Sequence, residues 1–354
     1  MSDPGKPDSE LIKEKRRYLE LNGPSLEVAK RTAEITWWNN VGACFLSIVM
    51  CIVANYAIMK VKTISTYMKA VYIFFKGLEV AFNIFFVIAC PIFVAVETSD
   101  NFLGLMIVNC GIKLPSTLSM ISLMLSIFLL TQLIFMPPIV YWIRYHQICR
   151  KGVRLPHVLT MTGLNIFLLI LSAGVFCYAS STTIEDIIVL SGIAVSFASH
   201  ETVFLVLSYD KIGSSMSAYV SSVTYFLILV FAVVIMGFSH LEINKKIRSN
   251  VNMSENLKKM QRRANRILTS QFALTIFFIQ LPFFYSVLGP VVGVSEKLAT
   301  YLVSILFVWG PVANTLTLVA FKTQIRQWIC SCSTEPESTE MNVVDRSNMK
   351  SEMR

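Results

Sequence analysis

The feature that most constrains this chain is a set of apolar stretches long enough to cross a lipid bilayer. A helix needs about 20 apolar residues to span the hydrocarbon layer. Six stretches reach that length without a charged residue, and a seventh, residues 70–96, contains Lys76 and Glu79. These features predict an all-α membrane protein built as a seven-helix bundle. The predicted spans are residues 38–59, 70–96, 114–142, 158–178, 216–238, 267–288 and 298–321.

Composition supports this prediction. Charged residues make up 15% of the 354 residues, whereas soluble domains carry about 25%. Lys76 and Glu79 are three residues apart, so they share one helical face and can form an ion pair. An internal pair of this kind is tolerated in a membrane when its face points into the bundle.

It is ambiguous whether residues 187–207 form a membrane span, because their apolar run is interrupted by His200 and Glu201 and is too short to cross the bilayer. The distribution of Lys and Arg along the chain favours seven spans without this segment. The loops at 60–69, 143–157 and 239–266 hold fifteen basic residues, and the alternate loops hold three. Basic loops are normally cytoplasmic, which predicts an extracellular N-terminal tail, residues 1–37. The seven basic residues of that tail argue against this orientation.

Small polar residues and aromatics lie toward the predicted outer ends of several spans. They could line an apolar pocket with a few hydrogen-bonding groups, as small-molecule sites do. They could equally be packing contacts, in which Ser and Thr join helices. No charged side chain lies among them, which favours an uncharged ligand. The residues are Ser119, Ser122, Ser126, Tyr219, Ser222, Tyr225, Gln280, Tyr285, Tyr301 and Ser304.

A second set of residues, toward the predicted cytoplasmic side, is typical of a conformational switch. Arg144 is either a latch for an intracellular partner or an interface anchor whose charge reaches the water. Pro282 is either a hinge or one of the prolines common in membrane helices. The full set is Arg144, Tyr145, Lys258, Lys259, Arg262, Arg263, Pro282, Pro311 and Asn314.

The cysteines give weaker signals. Cys110 and Cys177 both fall near the predicted outer face, where a disulfide is possible in an oxidising compartment. Residues 322–332 have the pattern of an amphipathic membrane-surface helix. Within it, Cys330 and Cys332 are either palmitoylation sites or ordinary free thiols. Residues 333–354 are predicted to be a disordered tail, whose phosphorylation could recruit an arrestin-like regulator.

Four short motifs resemble the nematode serpentine chemoreceptors, closest to the class H and Str group. Departures stand at Trp309, Ile325 and Thr275, where the family commonly has histidine, tyrosine and proline. The likeness covers about residues 38–328. It is carried by Tyr56 to Lys60 with Thr63 and Met68, Glu201 to Leu207 with Asp210, Arg144 with Tyr145, and Gly310, Asn314, Thr315 and Arg326.

The resemblance implies a rhodopsin-like bundle, coupling to a heterotrimeric G protein and a chemosensory role in ciliated neurons. Expected partners are a small molecule, the G protein and the bilayer, with no nucleic acid. No HExxH, GxGD or CxxC motif is present, so we expect no enzymatic activity, cofactor or metal. The alternatives are a secondary transporter, which usually has internal repeats, and a ligand-gated cation channel of the insect chemoreceptor type with its N-terminus inside.

Overall fold

The computed structural model describes residues 25–60, 66–97, 102–149, 155–209, 214–249, 255–292 and 297–321. Within these residues, seven helical segments are long and apolar enough to cross a membrane. The predicted number of spans is therefore confirmed, and the chain has the architecture of a multi-pass membrane protein. Residues 1–24, the predicted helix 322–332 and the predicted tail 333–354 lie outside the described part.

The three longest helices, with 34 to 36 residues, are longer than the hydrocarbon layer requires. At 1.5 Å per residue, a helix of 34 residues is about 51 Å long, against about 30 Å for the layer. The bounds are α1 Leu26–Lys60, α2 Thr66–Ala89, α3 Ser116–Cys149, α4 Leu155–Ala179, α5 Ile184–Ala198, α6 Ser214–Ser249, α7 Glu255–Thr275, a π-helical segment π1 Ile276–Gln280, α8 Leu281–Val292, α9 Lys297–Phe307 and α10 Trp309–Phe321.

The predicted bounds of the spans were wrong where a helix continues into polar sequence. Helix α1 begins at Leu26, so residues 26–37 are helical and do not belong to a tail. Helix α6 continues past residue 238 to Ser249, and α7 begins at Glu255, before the predicted start at 267. Hydropathy locates only the part of a helix that lies in lipid, whereas helical hydrogen bonding continues into polar sequence.

The prediction also missed a three-stranded antiparallel sheet. Its strands are β1 Pro91–Glu97, β2 Phe102–Asn109 and β3 Phe204–Ser208, in the order β1-β2-β3. Helix α2 ends at Ala89, so residues 91–96 are strand, contrary to the predicted span 70–96. A short apolar run buried on both faces has the same hydropathy as a buried helix.

The sheet separates two apolar layers. Its inner face, which includes Phe93, Ile107 and Leu205, packs on the core of the helix bundle. The outer face is covered by α5 and by Ala29 and Ala33 of α1. The sheet therefore closes one end of the bundle, which we call the sheet end.

Helix α5 was correctly left out of the span count. It has 15 residues, too few to cross a bilayer. Its start is fixed by a capping box in which Thr183 and Asp186 bind each other's backbone N–H groups. Its end is fixed by Ser199 in a left-handed conformation, with φ of 60°. The helix lies across the sheet as a cover.

The opposite end of the bundle carries most of the basic residues. It is formed by the ends of α1, α3, α6 and α10 and by the starts of α2, α4 and α7. Lys245, Lys246 and Arg248 end α6, and four more basic residues follow within the first three turns of α7. We call it the basic end.

Candidate functional site

A buried ion pair lies near the middle of α2. The Lys76 Nζ atom is 2.6 Å from the Glu79 Oε2 atom, and both residues are about 95% buried. Lys76 Nζ also donates to Thr315 Oγ1 of α10 at 2.9 Å, and Thr315 Oγ1 donates to the Pro311 carbonyl. The predicted Lys76–Glu79 pair is therefore present, and it binds α2 to α10.

An open cavity lies beside this pair, between α2, α3, α7 and α10. It encloses about 580 Å³ of empty space, counted to its open mouth. Its polar lining includes the ion pair, and its apolar lining includes Phe75, Phe272 and Pro137. A buried charge pair thus faces a space large enough for water or a small polar group.

The segment opposite the ion pair, from α7 to α8, has irregular backbone. In π1 the Leu281 N–H donates to the Ile276 carbonyl, five residues back. Pro282 follows directly, and its ring removes one backbone donor. Single-turn π segments and prolines are common causes of bends in helices. The predicted hinge at Pro282 therefore coincides with an observed change of helix type.

The seventh span is interrupted as well, because α9 ends at Phe307 and α10 begins at Trp309. Gly310 lies against π1 at this break. A Cβ atom at Gly310 would lie 2.7 Å from the Cδ1 atom of Ile279. The two irregular helices therefore approach each other closely at Gly310, where an added methyl group would displace the Ile279 side chain.

Polar contacts continue this junction toward the basic end. Asn314 Nδ2 donates to Thr275 Oγ1 at 3.3 Å, and Gln271 Nε2 donates to the Asn314 carbonyl at 3.2 Å. Asn314 and Pro311 were predicted as switch residues, and both lie at this junction.

A side-chain network joins α3, α6 and α7 nearer the basic end. Tyr141 OH donates to Thr269 Oγ1 at 3.2 Å. His240 lies within 3.2 Å of both Thr269 Oγ1 and Asn265 Nδ2. Asn265 Nδ2 also donates to Asn244 Oδ1 at 2.9 Å. Three helices are therefore connected by side chains alone.

Arg144 forms the outermost of these contacts. Its Nη2 atom donates to Gln261 Oε1 of α7 at 3.3 Å. Tyr145, the next residue, packs its ring 5.9 Å from that of Phe238 on α6. The predicted latch arginine thus bridges α3 and α7.

The predicted basic residues of α7 lie around its first turns. Lys258 pairs with Glu255 at 3.0 Å, and this hydrogen bond lowers the pKa of the Glu255 carboxyl. The other three are exposed: Lys259, Arg262 and Arg263.

At the sheet end, several predicted ligand residues anchor the sheet to the helices. Ser304 Oγ accepts from the Phe93 N–H at 3.2 Å. Asn109 Nδ2 donates to the Ser119 carbonyl and to Ser122 Oγ. Ser222 Oγ is 3.0 Å from Tyr209 OH, whose pKa is raised to about 12 by burial.

Other predicted ligand residues pack within the bundle. Tyr225 OH is 3.0 Å from Thr131 Oγ1, joining α6 to α3. Ser126 Oγ donates to the Leu123 carbonyl. Tyr219 is 42% exposed, Tyr285 is half-buried, and the side chain of Tyr301 lies outside the described part of the chain.

Gln280 differs from the rest of this set. It is 1% exposed, and neither end of its amide has a hydrogen-bond partner among the described residues. Buried polar groups are nearly always paired with protein or with ordered water. The Gln280 amide, which lies in the irregular segment π1, can therefore still form hydrogen bonds with a bound molecule.

Cys90, Cys110 and Cys177 are all free cysteines in the structure, so the Cys110–Cys177 pairing stays a prediction. The cysteine next to Cys110 is Cys90, whose carbonyl accepts from the Cys110 N–H, because β2 returns the chain to the end of α2. Cys330 and Cys332 lie outside the described residues.

Sequence reasoning missed most members of the inner network. Thr315 was noted only as part of a family motif and Tyr141 was not selected, because their partners come from distant parts of the chain. A pattern was present in α7, where polar residues recur at four-residue spacing, as in Asn265 and Thr269 or Gln271 and Thr275. His240 was assigned to a loop end, and it lies inside α6.

No model of a known protein family matches this sequence, and no curated protein matches it either.

Proposed function

We propose that this protein is a G-protein-coupled chemosensory receptor that binds a small uncharged molecule in the bundle and activates a heterotrimeric G protein at its basic end. The observation that carries the proposal is the junction of two irregular helices, in which Gly310 contacts Ile279 beside the buried ion pair. The resemblance to nematode serpentine chemoreceptors supports the same function. It also supports the plasma membrane, including the ciliary membrane of sensory neurons, as the location.

The mechanism is a shift between two packings of the bundle. A ligand that binds one arrangement more tightly increases its population. The π1–Pro282 irregularity lets the inner part of the sixth span move relative to α8. That movement would separate Arg144 from Gln261 and free the arginine and the exposed cations of α7 for the G protein.

Gln280 is the residue we assign to ligand recognition. Its amide can both donate and accept, and it is buried without a partner among the described residues, which suits an uncharged molecule with one or two polar atoms. We expect Gln280→Leu to abolish the ligand response, because both hydrogen bonds to the ligand would be lost. The ligand-free protein should unfold no more readily, since an unpaired buried amide is removed.

The orientation is tested first, with protease-accessible tags in intact cells. Tags at the N-terminus and near Asp210 should be exposed, and a tag at the C-terminus should be protected. The reverse pattern would contradict the receptor proposal and favour a channel of the insect chemoreceptor type.

Coupling is tested with purified protein in lipid nanodiscs and a heterotrimeric G protein. Gln261→Leu removes the acceptor of Arg144, so we expect it to raise basal nucleotide exchange. Arg144→Ala should lower exchange while surface expression is kept. Lys113→Ala, an exposed cation near the sheet end, is the matched control. Equal exchange in all three variants would refute the role of Arg144.

A secondary transporter is the second candidate. A buried ion pair beside an open cavity, flanked by two interrupted helices, is also typical of transporters. Uptake into proteoliposomes discriminates the two. Substrate accumulation that Lys76→Met abolishes would favour transport, and nucleotide exchange without accumulation would favour the receptor. An arrestin-like partner at residues 333–354 belongs only to the receptor proposal.

A further inference from the structure

Two cysteines lie opposite each other where α2 runs into the sheet. In the β1–β2 ladder Pro91 pairs with Asn109, so the next facing pair is Cys90 and Cys110. The Cys110 N–H donates to the Cys90 carbonyl at 3.3 Å. The two residues are therefore backbone neighbours just beyond the strand ends, where Cys90 adopts a left-handed conformation with φ of 39°.

The following residues hold the two segments together. Gly111 N–H donates to the Ala89 carbonyl at 3.1 Å, and Ile112 N–H to the Ile88 carbonyl at 2.9 Å. A Cβ atom at Gly111 would overlap the Ile88 carbonyl oxygen. A direct backbone hydrogen bond between two residues keeps their Cα atoms within the range that disulfides span, about 4.4–6.8 Å.

Both side chains lie among packed residues. Cys110 packs against the outer-face cluster that includes Ile92 and Met106. Cys90 is fully buried, and its Sγ atom accepts from Asn40 Nδ2 at 3.7 Å. The pKa of the Cys110 thiol is raised by burial and further by the neighbouring Cys90 thiol. The two thiols are therefore near enough to interact electrostatically.

From this geometry we propose that Cys90 and Cys110 form a disulfide that fastens the end of α2 to the segment leading into α3. The proposal rests on the orientation of the proposed function, in which the sheet end faces an oxidising compartment. A dithiol–disulfide oxidoreductase is the oxidant. One cysteine thiolate attacks its disulfide and forms a mixed disulfide. The second cysteine thiolate then displaces the catalyst, which leaves as a dithiol with the two electrons and two protons.

The bond forms before the sheet packs. In the folded protein Cys90 is fully buried and its pKa is raised to about 12, so almost none of it is the reactive thiolate. Once formed, the bond is shielded from reductants by the same burial. Reduction therefore requires prior denaturation.

The test uses the full-length protein isolated from the cell surface. Free thiols are blocked with N-ethylmaleimide in detergent that denatures the protein, without reductant. Trypsin and a protease that cleaves after Glu97 then separate the two cysteines. We expect one unlabelled species in which the fragments of Cys90 and Cys110 are joined, and which separates on reduction. Full labelling of both cysteines would overturn the proposal.

Substitutions give a second readout. Cys90→Ala and Cys110→Ala should each leave the other cysteine open to labelling and lower the melting temperature by about 5 °C, because a closed loop of about 20 residues is lost. The double variant should melt at the same temperature as the single variants, and Cys177→Ala is the control.

A tag near Asp210 reports the orientation of the chain separately. If that tag is exposed and both thiols label, the disulfide alone is wrong, and if it is protected, the receptor orientation is wrong.

Discussion

The two ends of the bundle use polar side chains in different ways. At the sheet end, several side chains bind backbone groups, as in Ser304 with the Phe93 N–H and Tyr209 with the Val287 carbonyl, although Tyr209 and Ser222 also bind each other. At the basic end, side chains of different helices bind each other, as in Arg144 with Gln261. A contact to backbone breaks only if a strand or helix moves, whereas a contact between side chains can be exchanged by a rotamer change. One end is therefore built to hold its shape and the other to change it.

Packing follows the same division. The inner face of the sheet is fully buried against aromatic residues, with Phe93 5.4 Å from Phe307 between ring centroids. At the other end an open cavity separates α2, α3, α7 and α10. A well-packed core loses stability when it is altered, whereas a region beside a cavity has room to rearrange.

The largest expected effect comes from truncating the sheet. Phe93→Ala should lower the free energy of unfolding by about 3–5 kcal/mol, because it removes a fully buried ring and leaves a cavity. Phe272→Ala, which truncates a half-buried ring beside the existing cavity, should cost clearly less. Denaturant titration in mixed micelles measures both variants. Equal losses would remove the distinction between the two ends.

Breaking the central ion pair comes next. Lys76→Met leaves Glu79 buried without its partner and should cost about 3 kcal/mol, the low end for a buried pair because the cavity hydrates the carboxylate. Lys76→Met combined with Glu79→Leu should recover most of the loss, since no charge remains. A double variant as unstable as the single one would show that the pair contributes through packing rather than charge.

A smaller effect is expected at the contact between the two irregular helices. Gly310→Ala should cost about 1–3 kcal/mol, because its Cβ displaces the buried Ile279 side chain. Gly237→Ala is the matched control, since no atom lies within 4 Å of the added group, and it should be neutral or stabilising. Thermal melts distinguish the two variants. If the two variants had the same melting temperature, the close approach of α10 to π1 would be disproved.

The smallest expected effect on stability concerns the Tyr209 hydroxyl at the sheet end and its dependence on pH. Tyr209→Phe should cost about 1 kcal/mol at neutral pH by removing the hydroxyl's hydrogen bonds. Burial raises the pKa of Tyr209 from 10.0 to about 12, so its contribution is complete below pH 10 and is lost as the pH rises toward 12. The difference in melting temperature between wild type and Tyr209→Phe should therefore shrink above pH 10. A constant difference from pH 8 to 12 would contradict this assignment.

Hydropathy was sufficient to find the seven spans, because lipid requires about 20 apolar residues at each crossing. It could not find β1, since residues 91–96 continue the apolar run of α2 and strand pairing depends on β2. Local spacing predicted the Lys76–Glu79 pair, three residues apart on one helix. Thr315, the third member of that cluster, comes from 239 residues further along the chain, and no local pattern encodes such a contact.

The residues of the candidate site fall into the same two groups, those with a local sequence signal and those without one. Arg144, Pro282, Pro311 and Asn314 were found because arginine, proline and asparagine stand out in apolar helices. The residues predicted to hold a ligand were selected by the same reasoning, but Ser119, Ser122 and Ser304 bind the sheet, and the sheet itself was not predicted. Gln280 is the member whose amide remains unpaired among the described residues, and its place in π1 could not be predicted, because helix type cannot be read from composition.

The order of the strands has a consequence for synthesis of the chain. Strand β2 is the central strand, and its second partner, β3, follows about 95 residues later. At roughly 5–20 residues per second, the β1–β2 hairpin waits about 5–20 seconds with one edge unpaired. Such edges are prone to pairing with other chains. The newly made protein should therefore depend on a chaperone between insertion of the third span and emergence of β3.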